Sequence, residues 1–61
     1  MKTVIYLVHT SGQTVKRWEG NLPPIPKDQV FACDGVLWKT KDSTIALNEE
    51  PEQFVTAKYE R

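Results

Sequence analysis

Asp34-Gly35 sits between two short runs rich in apolar residues, 29–33 and 36–40. Both central residues of a type I′ turn need positive φ, which Asp tolerates and Gly adopts freely, so the pair commits this stretch to a tight β-hairpin. A two-residue loop sets Cys33 opposite Val36 and Phe31 opposite Trp38, placing all four on one face. An aromatic cross-strand pair of this kind contributes roughly 0.2–1 kcal/mol, enough to hold a register and too little to indicate a function.

The rest of the chain reads as further strands. Residues 2–9 are β-branched or aromatic at most positions, and the run is too short for a buried helix. Val4, Tyr6 and Val8 point one way and Ile5 and Leu7 the other, so both faces are apolar, as in a central strand or one covered by a partner. Thr10-Ser11-Gly12 turns the chain into a second strand at residues 13–19. Residues 20–28 carry Pro23, Pro24 and Pro26, which remove backbone donors and break any ladder. The expected conformation is an extended polyproline loop with Leu22 and Ile25 pressed onto the barrel. Lys41-Asp42-Ser43 reads as a turn after which residues 44–47 continue as another short strand. Residues 53–59 have two readings. Asn48 as a cap, Pro51 in a first turn and late Lys58 and Arg61 suit a short helix. The strict alternation of Val55, Ala57 and Tyr59 with Thr56, Lys58 and Glu60 suits a strand, and strand is preferred.

The expectation is an all-β chain of short strands with one long loop after the first hairpin and a tight meander afterwards. That layout resembles a small SH3-like or other partly open five-stranded barrel. The likeness is one of strand order and loop length, and it carries over no functional residue.

With 61 residues the chain is one small β domain, 1–61, with a single thin core. Cys33 is the only cysteine and His9 the only histidine, so neither an internal disulfide nor a metal site is expected, and no cofactor motif is present. Self-association is the remaining way to supplement the core, and a homodimer is expected. Eight basic and eight acidic side chains cancel. Residues 2–41 hold Lys2, Lys16, Arg17, Lys27, Lys39 and Lys41 against Glu19, Asp28 and Asp34, while residues 42–61 hold Lys58 and Arg61 against five acids. The opening residues do not form a targeting segment, because His9 and polar residues interrupt the apolar run. No stretch approaches the length of a membrane span, and a lone cysteine suits a reducing, cytoplasmic setting.

The equipment of an enzyme is missing. Cys33 as a nucleophile would need His9 beside it, and its place on a core face suits a small apolar role instead. Glu49, Glu50 and Glu52 flank Pro51 in a solvated loop, and Gly12, Gly20 and Gly35 stand singly at turns. A non-catalytic interaction module, a small accessory or regulatory protein docking by a β-edge and an apolar patch, is the leading expectation. Tyr6, Trp18, Leu22, Ile25 and Tyr59 are its candidate protein-binding residues. The alternative is a nucleic-acid-binding barrel in which Lys16, Arg17, Trp18, Trp38, Lys39 and Lys41 form a basic and aromatic face for single strands.

Overall fold

The computed structural model describes residues 1–60, and five strands make up all of their regular structure. These are β1 (Lys2–Val8), β2 (Thr14–Asn21), β3 (Val30–Cys33), β4 (Val36–Ala46) and β5 (Glu52–Tyr59). They form one sheet in the order β2-β1-β5-β4-β3, curled into a half-barrel. Every neighbouring pair is antiparallel except β1 and β5, which run parallel. The C-terminal strand inserts beside β1 instead of extending a simple meander, and this leaves β2 and β3 as the two outer strands.

The Asp34-Gly35 hairpin has the expected geometry, with φ of 53° and 77° and Cα pairings Cys33↔Val36 and Phe31↔Trp38. Residues 53–59 are strand, so the helical reading does not hold. Their alternation turns Gln53, Val55 and Ala57 inward, all three fully buried. Lys41-Asp42-Ser43 is not a turn. β4 runs through it as a single 11-residue strand, with a register shift between Thr40 and Asp42. A bulge absorbs one extra residue without ending a ladder. Continuous pairing with the eight residues of β5 satisfies the backbone here, and this overrides the local turn preference of Asp and Ser.

The inner face of the sheet carries the core, Ile5, Leu7, Trp38, Val55 and Ala57, with Leu22, Ile25, Phe31, Cys33, Val36 and Tyr59 packed against it. Leu22 and Ile25 thus press the proline loop onto the sheet, in line with expectation. Two buried polar side chains hold that loop down. Gln53 Nε2 donates to Thr3 Oγ1 at 2.8 Å and to the carbonyls of Pro23 and Leu22 at 2.9 and 3.4 Å, while its Oε1 accepts from the Ile25 amide at 3.0 Å. Thr40 Oγ1 donates to the Pro26 carbonyl at 2.7 Å and accepts from the Gln29 amide at 2.8 Å. A proline-rich segment has few donors for a ladder, so side chains from β4 and β5 take up its carbonyls instead.

β1 needs no partner to cover it. Val4, Ile5, Leu7 and Val8 are all buried within one chain, and Tyr6 is half-buried. The expected surplus of apolar surface on the first strand is absent: β1 is central in the sheet, and Leu22, Ile25, Phe31 and Cys33 pack on the core cluster that holds its inward Ile5 and Leu7. Exposed apolar side chains lie instead on the other strands, among them Val15 and Trp18 on β2, Val30 on β3, Leu37 and Ile45 on β4 and Phe54 on β5.

Candidate protein-binding seam

The half-barrel is open between its two outer strands, β2 and β3. Among the described residues, β2 and β3 are each hydrogen-bonded to a strand on one side only, β1 and β4 respectively. Between them lies an apolar groove of about 160 Å³, with Ile5 and Leu7 at its floor, Trp18 and Leu22 on one wall, and Phe31 and Cys33 on the other. The floor residues come from the inward parity of β1. The walls come from the same parity on β2 and β3, where Trp18 pairs with Ile5 and Phe31 with Trp38.

An exposed ion pair between Lys16 Nζ and Asp34 Oδ2 spans the seam, from β2 to the β3–β4 turn. The hydrogen bond from Lys16, and then its charge, lower the Asp34 carboxyl from its ordinary value of 3.8. The same contact raises Lys16 above 10.5. The tie is thus present above the unfolded carboxyl value and is lost as pH falls through the lowered folded one. At the other end it is lost as pH rises through the raised lysine value. In a carbon-detected NMR titration, the Asp34 side chain is expected to protonate below 3.8, and Lys16→Met is expected to return it to the ordinary range. Titration of Asp34 at its ordinary value in the unaltered chain would show that the tie is absent in solution.

Trp18 stands at the lip of the groove with 36% of its surface exposed. Its ring lies over Gly20 two residues along the same face, where an added Cβ would come within 2.4 Å of the indole. Gly20 is therefore the residue that lets the ring lie flat along β2. On the opposite face of β2, Arg17 Nη2 meets Glu19 Oε2 at 2.9 Å, and Lys2 Nζ lies 3.8 Å from Glu19 Oε1. The Arg17 guanidinium is raised further by its hydrogen bond with Tyr6, then by Glu19.

The five candidate protein-binding residues do not form one patch. Trp18 and Leu22 line the seam, while Tyr6 has the opposite parity on β1 and pairs with Arg17 and Thr56. Ile25 packs on the core beneath its loop, with its amide on Gln53. Tyr59 belongs to a second groove of about 270 Å³ with His9, Val36 and Trp38. There it stacks on His9 at a centroid distance of 6.3 Å and tilts against Trp38 at 5.8 Å.

The basic and aromatic residues are likewise dispersed. Trp38 is only 7% exposed and faces the core, so its ring offers no platform for a base. Lys39 pairs with Lys58 on the outer face, Lys41 occupies the bulge, and Lys16 is engaged with Asp34. Only Trp18 remains exposed among the candidate stacking rings, with Arg17 on the other side of its strand.

Phe31 and Cys33 belong to the core face that the hairpin register implies, and the structure adds that they form a groove wall. Gln53 and Thr40, which hold the proline loop beside the groove, carry no motif in the sequence. The parity that makes Val55 and Ala57 inward also makes Gln53 inward, and a polar residue at such a position is the signal that a buried acceptor and donor are needed there.

No family model, curated protein or solved structure matches this chain. Among the described residues, no helix is long and apolar enough to cross a membrane.

Proposed function

We propose that this chain is a non-catalytic interaction module, a small accessory or regulatory protein that docks a strand of protein on the free edge of β2. The observation that carries this reading is the open seam, in which an unpaired edge of eight residues borders an apolar groove with a half-exposed tryptophan at its lip. An added strand gains main-chain hydrogen bonds from such an edge, and its alternate side chains enter the groove. Aromatic anchors beside small apolar hollows dominate the energetics of protein interfaces. The half-buried single thiol of Cys33 in the groove wall suits a reducing, cytoplasmic setting.

Selection of a displayed linear-peptide library on the immobilised protein tests the reading. Enriched peptides, added to isotope-labelled protein, are expected to shift the backbone amides of residues 16–21 and the Trp18 indole. Shifts confined to other parts of the sheet, or a library that yields no enriched sequence on a monomeric chain, would overturn it.

A further inference from the structure

We infer that the occupant of the β2 edge is a second copy of this chain, paired antiparallel about a two-fold axis at Trp18. The inference rests on the interaction-module reading and names its partner. β2 is regular over residues 16–21, because the register against β1 shifts between Leu7 and Val8 and leaves Val15 in the irregularity. A two-fold axis that continues a sheet keeps opposed side chains on the same face, so the axis must set some residue opposite its own copy.

The charges on β2 decide which residue. An axis at Arg17 sets two arginines against each other, one at Glu19 sets two glutamates, and one at Lys16 sets two lysines. Like charges directly opposite are destabilising. An axis at Gly20 sets Glu19 against Asn21 and gains no ion pair. An axis at Trp18 is self-complementary: Trp18 faces Trp18 of the second copy, and Arg17 faces Glu19 of the second copy twice over. In that register Lys16 of the second copy comes opposite Gly20, which has no side chain and over which the Trp18 ring lies. A cation is thereby brought to an aromatic face. Its exposed pairing with Asp34 is of a kind that exchanges at small cost, so the lowered Asp34 titration belongs to the free chain and is read at concentrations below dimerisation.

The other free edges suit this role less well. β3 has only four residues. The outer edge of β4 beyond Thr40 begins with a bulge and the charged pair Lys41 and Asp42, devices that discourage edge pairing.

Light scattering over a concentration series is expected to give twice the chain mass of 7.0 kDa. Filtered NOE spectra of a mixture of labelled and unlabelled chains are expected to show contacts between the two copies at Trp18. Arg17→Glu and Glu19→Arg, each alone, replace two attractive pairs with two repulsive ones and are expected to weaken dimerisation by about tenfold or more. Their equimolar mixture is expected to restore it, because one variant is acidic at both positions 17 and 19, the other is basic at both, and the two strands then meet with opposite charges throughout. Both substitutions are on the exposed outer face, and the NOE measurement needs no substitution at all.

A chain that stays monomeric at millimolar concentration, or a dimer whose contacts between copies lie away from β2, would overturn the inference. So would a mixture no tighter than its components. A monomer that still takes selected peptides on residues 16–21 would sink the second copy while leaving the interaction module standing. A monomer that takes none would sink both.

Discussion

Replacing Gln53 by leucine is expected to lower the free energy of unfolding by about 3 kcal/mol, measured by urea titration. The side chain is fully buried and its amide bonds Thr3, Pro23, Leu22 and Ile25 at once. Leucine fills a similar volume but leaves the Ile25 amide and the Pro23 carbonyl without that partner, and each such lost hydrogen bond costs about 1–3 kcal/mol. A core of this size supplies about 3–5 kcal/mol at most, so the loss amounts to most of the stability of the fold. Gln53→Glu is expected to be worse at neutral pH and to recover partly in acid. A buried carboxyl has its folded pKa raised, so the stability it retains is present below the unfolded value of about 4.3 and is lost as pH rises through the folded one. Unchanged urea midpoints for both variants would show that the amide does not hold the proline loop.

Leu7→Ala is expected to cost about 2–5 kcal/mol and to leave the chain largely unfolded at room temperature, seen as collapse of amide dispersion. Leu7 is 1% exposed, sits in the centre of the core cluster and forms the floor of the seam. The loss combines removed burial with a cavity that flanking strands, held in register by their ladders, close only in part. Ile5→Val, one methylene smaller, is expected to cost about 0.5–1.5 kcal/mol and keeps the transition measurable. Leu47→Ala provides the contrast: that side chain is 87% exposed and its removal is expected to move stability by less than about 0.5 kcal/mol. Equal effects at Leu7 and Leu47 would contradict the core described here.

Much of the fold is legible residue by residue. Asp34-Gly35 announces its hairpin because a requirement for two positive φ angles admits few residues. The prolines announce their loop because a missing N–H cannot be supplied from elsewhere. The bulged stretch at Lys41 misleads because turn preferences are weak and a long neighbouring strand outweighs them. The seam is only partly legible. Trp18 and Leu22 are candidates on chemical grounds, but their meeting with Phe31 and Cys33 depends on how far the sheet curls, which no local pattern encodes.

From its sequence alone the chain is bound to be a small, mostly β unit without an internal disulfide, with only residues 53–59 open between strand and helix, because strand periodicity, turn chemistry and a single cysteine are local properties that each residue expresses for itself. Only the tertiary structure decided which strands are left unpaired. β5 inserts parallel to β1, pairing the second edge of the first strand and moving the open edges to β2 and β3. The physical reason is that an edge is a property of the whole ladder: a strand is free or covered according to what its distant neighbours do, and its own residues carry no record of it.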